Sequence, residues 1–290
     1  MIPAAFDYHR PGTLEEAVKL LSSHGDEAKV LSGGMSLLPM LKLRFGSFAH
    51  LVDINRIPGL EYIKEQGGFL KLGAVTRESA LERSEIVRER YPLLHDTVCV
   101  IADPIVRNRA TVGGDIAHGD PGNDHPATML AYGATLVARG PKGERTIAAN
   151  QFFKGLFTTA LAPNEILTEI RIPTPPARSG GAYLKLKRKV GDFAAAAVAV
   201  QITLDKKGAI ERVGIGLTNA GPTAIEAKDA AKFLLGKMPD EKTLAEAARM
   251  AAKAGSPGAD RRGSVEYKRE MARVMATRAL RKAVERAGGK

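Results

Sequence analysis

The residues best suited to chemistry lie in two glycine pairs, Ser32-Gly33-Gly34-Met35-Ser36 and Thr111-Val112-Gly113-Gly114-Asp115. Each pair follows or closes an apolar stretch and is bracketed by hydroxyl or carboxylate side chains. Glycine lets the backbone take positive φ and lets a ligand touch the main chain. Where such a loop opens a helix, successive N–H groups converge on one point and form an anion nest. Two such loops predict a large phosphate-containing ligand held from two sides. The first is not a Rossmann fingerprint, since no third glycine follows, and it lacks the Gly-Lys-Ser/Thr ending of a P-loop. Alone it reads equally well as a tight strand-to-helix turn. The long polar tract after the second pair, His118-Gly119-Asp120-Pro121-Gly122-Asn123-Asp124, favours a ligand. Asp115, Asp120 and Asp124 are acceptors for ribose, ribityl or adenine donors. Their spacing does not fit an EF-hand, which ends on a glutamate.

Other chemistries are less well served. The six histidines are scattered. His118 and His125 have no cysteine or close third ligand in the sequence, so no zinc site is expected there. No Gly-x-Ser-x-Gly elbow occurs. The one cysteine, Cys99, cannot form an internal disulfide or hold an iron–sulfur cluster, which needs about four thiolates. It lies in an apolar run and is expected in the core. A reducing compartment, hence a cytoplasmic location, is the simple reading. The opening MIPAAFDYHRPGT has no signal-peptide pattern, and no apolar run approaches the roughly 20 residues of a membrane span. The formal charge of +11 raises the question of nucleic acid. The C-terminal excess of Lys and Arg is interleaved with one aromatic, Tyr267, so a solvated or partner-facing surface is expected and nucleic-acid binding is not.

The elements that must position these residues are legible from periodicity. Thr13-Leu14-Glu15-Glu16 is a capping box opening a helix with an apolar stripe of Leu14, Ala17, Val18 and Leu21. Ala28–Leu31 is expected as a strand feeding the first loop, Leu37–Lys42 as a short helix, and Leu51–Ile54 as the next strand. A strand over Phe69–Ala74 precedes helices over Thr76–Arg83, Glu85–Arg90 and Leu93–Ala102. A hairpin turns around Pro141-Lys142-Gly143, and Ile166–Ile172 forms a strand. Pro173-Thr174-Pro175-Pro176 marks a boundary. Beyond it, strands over Ala182–Lys187, Ala197–Leu204 and Ile210–Leu217 are followed by helices over Thr223–Leu235, Thr243–Ala254 and Val265–Ala287. Segregated strands and helices argue an α+β fold. Its expected parts are 1–56 and 57–177, an N-terminal and a middle subdomain of the ligand-binding region, and 178–290, a C-terminal domain.

The ordered set Phe6-Asp7-Tyr8-His9, Ser-Gly-Gly-Met-Ser, Thr-Val-Gly-Gly-Asp, His-Gly-Asp-Pro-Gly-Asn-Asp-His-Pro and Lys185-Leu186-Lys187-Arg188-Lys189-Val190-Gly191-Asp192-Phe193 is specific. Over essentially its whole length the chain resembles the flavin-binding medium subunits of the molybdenum hydroxylases, the xanthine dehydrogenase family, and among them that of aerobic carbon monoxide dehydrogenase. The resemblance implies a two-part FAD-binding domain of the PCMH type, like that of vanillyl-alcohol oxidase, followed by an antiparallel three-stranded sheet with a helical bundle. It implies that Gly33 to Ser36, between Ser32 and Leu37, cradle the pyrophosphate of FAD. Thr111, Gly114 and Asp115, with Val112 and Gly113 between them, would hold the adenosine and phosphate side. Asp124 would face the ribityl chain, and Ile101 and Ala102 the isoalloxazine. Leu167, with Ile166, would line the flavin or adenine pocket, and Lys185 and Phe193 would approach the ring system. Three positions depart from the common pattern: Met35 replaces a histidine, Asp115 an asparagine and Phe193 a tyrosine.

The resemblance further implies an electron-transfer flavoprotein with no catalytic acid–base residue and no metal ligand of its own. Its partners would be a large molybdenum-cofactor subunit and a small 2Fe-2S subunit, assembled as a dimer of heterotrimers. The external acceptor would be a quinone, reached at the inner face of the membrane. The nearest alternative is the flavin subunit of a hydroxylase acting on a heteroaromatic or aldehyde substrate.

Overall fold

A computed structural model describes residues 2–288. The chain opens as β1 (Asp7–His9), α1 (Leu14–His24), β2 (Ala28–Leu31), α2 (Leu37–Lys42) and β3 (His50–Asp53). Parallel pairing needs a crossover connection, which the intervening helices supply, and these strands form a parallel sheet of order β1-β3-β2. Thr13 Oγ1 accepts from Glu16 N at 3.2 Å, while the Glu16 carboxylate accepts from Gly12 N at 2.8 Å, one residue earlier than in a standard capping box. Ala17, Val18 and Leu21 of α1 are buried against Ala28 and Val52. The three-residue β1 was not expected; it is too short to show a period.

The second segment builds an antiparallel sheet of order β4-β5-β10-β6-β7 from β4 (Ile63–Gln66), β5 (Phe69–Gly73), β6 (Thr135–Gly140), β7 (Gly143–Ala148) and β10 (Ile166–Pro173), with a small hairpin of β8 (Phe153–Gly155) and β9 (Thr158–Thr159). Between β5 and β6 run α3 (Glu78–Arg83), α4 (Glu85–Arg90), α5 (Pro92–Val100), α6 (Pro104–Arg107), α7 (Val112–His118) and α8 (His125–Tyr132); α9 (Ala149–Phe152) follows β7. The third segment is β11 (Ser179–Leu186), β12 (Ala196–Leu204), β13 (Ile210–Thr218), β14 (Ile225–Glu226), α10 (Lys228–Leu234), α11 (Glu241–Ala254) and α12 (Val265–Arg286). Its sheet has four strands, not the expected three: Ile225 and Glu226 pair with β13, which shortens the expected Thr223–Leu235 helix from its start.

α12 lies across this sheet on a small-residue face of Ala276, Ala279, Leu280 and Ala283. A Cβ at Gly180 of β11 would sit 2.1 Å from Ala283 O, so the helix approaches to backbone distance. Lys282 and Arg286 of α12 reach Asp96 of α5 at 3.1 and 2.6 Å. Such partly exposed pairs are worth at most about 1 kcal/mol each, so apolar burial docks the helix and the ions orient it. One core joins the second and third segments, because Tyr183, Ala194, Ala197 and Ala199 pack with Leu93, Val98 and Met129.

Cys99 is exposed, contrary to the expectation of a core residue. Position 99 falls on the outer face of α5, whose buried residues are Leu93, Leu94, Thr97 and Val98. Among the described residues, no helix is long and apolar enough to cross a membrane.

Candidate functional site

β2 delivers the chain to Ser32 beside the end of β3, with Leu31 opposite Asp53. Asn55, just past β3, donates its side-chain N–H to Ser32 O at 2.7 Å and to Asp53 Oδ1 at 2.6 Å. Arg77 donates to Asn55 Oδ1 at 2.7 Å and also to Arg109 O. Arg77 is half-buried, and desolvation with the nearby Arg109 charge lowers its pKa. This chain of donors fixes the first glycine loop against residues 109–111. A Cβ at Gly33 would stand 2.3 Å from Arg109 O, so the two loops are in backbone contact. Gly34 has φ +77°, which lets the chain turn into α2. The amides of Gly33, Gly34, Met35 and Ser36 donate to no acceptor among the described residues. All but the buried Gly33 belong to partly accessible residues. Four consecutive free N–H groups at a helix start are donors for an anion.

The second glycine pair is not a loop, contrary to expectation. Gly113 and Gly114 form the first turn of α7, capped by Thr111, whose Oγ1 accepts from Gly114 N at 3.2 Å. Gly113 N bonds Ala74 O at 2.9 Å, and a Cβ there would be 2.5 Å from Ala74 O, so α7 lies directly on the backbone after β5. Val112 is buried beneath it. The amides of Gly113, Gly114 and Asp115 are thus all used internally. What this turn gives the first loop is the buried Thr111 hydroxyl, 2.8 Å from Ser32 Oγ, and the close approach of Gly114 to Ser32.

Behind the turn lies a buried acid–base group. His125 Nε2 and Glu78 Oε2 are 2.9 Å apart, and both side chains are fully shielded. Burial opposes charge on His125, but Glu78 and the nearby Asp115 outweigh it and raise its pKa to about 9. Asp115 Oδ1 is closed to solvent with no hydrogen-bond partner, and burial pushes its carboxyl well above the usual range. Asn123 Nδ2 donates to Asp115 O at 2.8 Å and ties α7 to the tract before α8.

A second cluster forms where the third segment meets the second. Lys185 of β11 donates to Asp124 Oδ2 at 2.7 Å and to Val100 O at 3.4 Å, next to Ile101. Tyr183 OH donates to Asp124 Oδ1 at 2.6 Å. Burial pushes the Asp124 carboxyl up against the pull of the Lys185 ammonium. Ile101 is buried, and Ala102 adopts φ +43°, a left-handed conformation uncommon for alanine. Phe193 is 46 % exposed; a Cβ at Gly122 would touch its ring at 3.1 Å, and the Arg262 guanidinium lies 5.7 Å above it. Arg262 and Arg188 hold the Asp192 carboxyl down at about 2.

Thus Ser32 and Gly33 meet Arg109 to Gly114 at one seam, with Gly34 to Leu37 leading away from it, while Asp124 and Lys185 gather beside Val100 to Ala102 and Phe193 lies against Gly122. Ile166 and Leu167 do not join them: Ile166 sits in the α1 core and Leu167 in the middle core. Sequence reasoning missed Asn55, Arg77, Glu78 and Tyr183. Asn55, Arg77 and Glu78 had one signal, position: each follows a strand, β3 or β5, that ends beside a glycine pair; Tyr183 had none.

A nest of free amides on a βαβ unit, packed against a hydroxyl-capped turn and flanked by a buried Lys–Asp pair, is the build of a nucleotide-binding flavoprotein. The donor set fits FAD: main-chain N–H groups for the phosphates and an orphaned buried carboxylate oxygen at Asp115 for a donor. The chain belongs to the family of FAD-binding domains of molybdopterin dehydrogenases, whose model matches residues 4–175, and residues 181–283 match the C-terminal domain of carbon monoxide dehydrogenase flavoproteins. It is 48 % identical to the carbon monoxide dehydrogenase medium chain of Hydrogenophaga pseudoflava, covering 97 % of both chains. It is 45 % identical to that of Afipia carboxidovorans, over 99 % of this chain and 98 % of the other. The fold superposes with a TM-score of 0.96, at 49 % identity and 99 % coverage of both chains, on the structure of the Hydrogenophaga pseudoflava carbon monoxide dehydrogenase lacking the Mo-pyranopterin moiety.

Proposed function

We propose that this chain is the FAD-carrying electron-transfer subunit of a carbon monoxide dehydrogenase of the molybdenum hydroxylase class. The observation that carries the reading is the run of four free amides, Gly33 to Ser36, set against the Ser32–Thr111 contact in a chain of this family. In this assignment residues 1–56 and 57–177 supply the two walls of the FAD site, and 178–290 brings Lys185 and Phe193 to its flavin end. Gly33 to Ser36 and Leu37 take the pyrophosphate, Thr111, Gly114 and Asp115 the adenosine side, and Asp124 the ribityl chain. Val112, Gly113, Ile166 and Leu167 support these walls from behind.

Bound FAD accepts electrons singly and releases them in pairs, and the protein's share is binding, orientation and electrostatics. The amide nest neutralises phosphate charge without mobile side chains, so Met35 can replace a histidine there. The Lys185 ammonium, locked between Asp124 and Val100 O, gives the flavin end a fixed dipole. Phe193 offers an apolar ring face held by Arg262. With a single exposed cysteine, the chain must receive electrons from a partner's 2Fe-2S clusters after oxidation of the substrate at a molybdenum cofactor in a large subunit. Exposed Ile105, Val190 and Phe193, close to Ala102 in sequence or through Gly191, form an apolar rim for such a partner. The acceptor is a quinone, and the complex is a cytoplasmic dimer of heterotrimers working near the membrane face.

The test is to co-purify the chain with its neighbouring subunits and record the flavin spectrum before and after substrate and a soluble quinone. Bleaching by carbon monoxide and recovery with quinone are expected. Absence of FAD uptake at micromolar concentration, even with the partners, would refute the reading.

A further inference from the structure

Three histidines that are far apart in sequence converge at the edge of the first segment. His9 and His50 lie on one face of the parallel sheet: Asp7 pairs with His50 and His9 with Val52, so the two histidines are two register positions apart. That face also carries Ala28 and Val52, which α1 covers, and the last turn of α1 brings in His24. His9 Nε2 and His50 Nδ1 are 3.1 Å apart. The His24 and His50 ring centroids are 3.7 Å apart, and each of the three rings offers a nitrogen within 4.8 Å of the other two. All three are half-buried.

We propose that His9, His24 and His50 form a binding site for a borderline divalent transition cation of the zinc type. Imidazole nitrogens on a tetrahedral zinc stand about 2.0–2.1 Å from the metal, which separates two ligands by roughly 3.3–3.4 Å. The His9–His50 pair is already near that spacing, and His24, stacked on His50 with a nitrogen within 4.8 Å of the other two, would have to turn its ring to join them. Three imidazoles with no cysteine suit zinc, copper(II) or nickel(II) rather than calcium or magnesium. The exposed Asp7 carboxylate, 3.5 Å from His50 Nδ1, stands within reach as the fourth ligand, with water as the alternative occupant. The C-terminal end of α1 adds negative potential at His24. The histidines sit on β1, α1 and β3, so one cation would pin three elements of the unit whose edge strand, β2, feeds the first glycine loop. The His95–Cys99 pair on α5, 3.7–3.8 Å apart, offers only two ligands and serves as a control.

The experiment uses tag-free, FAD-loaded full chain, stripped with chelator and titrated with cobalt(II), followed by d–d absorption at wavelengths beyond the flavin bands. One equivalent of cobalt per chain, displaced by zinc, is expected. His24→Ala and His50→Gln should each weaken uptake roughly tenfold or more while retaining FAD, which reports that the fold is intact; His95→Gln with Cys99→Ser should bind as the parent does. Failure to take up cobalt or zinc would overturn the site. So would uptake unchanged by His24→Ala and His50→Gln, or uptake lost only in the His95/Cys99 variant. None of these outcomes bears on FAD binding, which the flavin spectrum reads separately.

Discussion

Ser32 and Thr111, 79 residues apart in sequence, meet hydroxyl to hydroxyl at 2.8 Å. The same Thr111 oxygen caps α7, and the same Ser32 residue is gripped at its carbonyl by Asn55. One contact therefore couples a helix start in the middle segment to the amide nest of the first. The two glycine pairs have unequal tasks: the first keeps its amides free, and the second lets α7 approach close enough to hold that nest in place.

Thr111→Val keeps the shape but removes the cap and the Ser32 contact. Loss of a threonine cap costs about 1–2 kcal/mol. The expected result is a lower thermal midpoint with FAD affinity reduced on the order of tenfold, since the nest loses its brace but not its donors. Fluorescence titration with FAD measures this; an unchanged affinity would mean that the seam does not position the nest.

Gly33 and Gly34 should respond differently to alanine. At Gly33 a Cβ meets backbone, 2.3 Å from Arg109 O and 2.8 Å from Ala110 Cα, so Gly33→Ala must separate the two loops. At Gly34 it meets only the Leu38 and Leu31 side chains at 3.0 and 3.3 Å, but φ is +77°. Gly34→Ala is expected to cost roughly 1–2 kcal/mol of backbone strain, with FAD binding weakened. Gly33→Ala is expected to abolish binding. The reverse order in a paired titration would contradict the close approach.

Lys185→Met removes the cation facing Asp124 and leaves a buried carboxylate with Tyr183 alone. Breaking one side of a buried pair costs about 3–5 kcal/mol. The double variant with Asp124→Asn should regain most of that loss, because the stranded charge is gone. Thermal unfolding of the single and double variants decides it. A double variant no more stable than Lys185→Met would show that the pair is not the source of the cost.

Much of this was legible in the sequence, for identifiable reasons. The first loop was readable because strand, glycines and helix are contiguous and each has a local signature. The cap at Thr13, the hairpin at Pro141-Lys142-Gly143 and the three long C-terminal strands were likewise local. The second glycine pair was misread as a loop because its glycines serve packing on Ala74, a contact with no local trace. The Ile225–Glu226 strand is two residues long and exists only because β13 offers an edge. The Glu78–His125 pair and the triple histidine cluster join positions far apart in the chain, and a single sequence carries no sign of such meetings.

The buried group behind α7 makes a signed prediction about pH. The folded pKa of His125 is about 9, raised from an ordinary 6.5 by Glu78 and Asp115. A raised pKa means that this stabilisation is complete below about 6.5 and is lost as pH rises through about 9. Asp115 is also raised, by burial, so its contribution falls in the same direction but begins at acid pH, above about 4. The chain should therefore lose thermal stability in two stages as pH increases, apart from any effect of surface charge. His125→Gln should lower stability at neutral pH and flatten the alkaline stage. Asp115→Asn should flatten the earlier one and raise the neutral-pH midpoint, since an asparagine at that buried position carries no charge to desolvate. Melting curves from pH 4 to 10 on the parent and both variants separate the stages; a His125→Gln profile parallel to the parent above pH 7 would show that His125 is not charged in the fold.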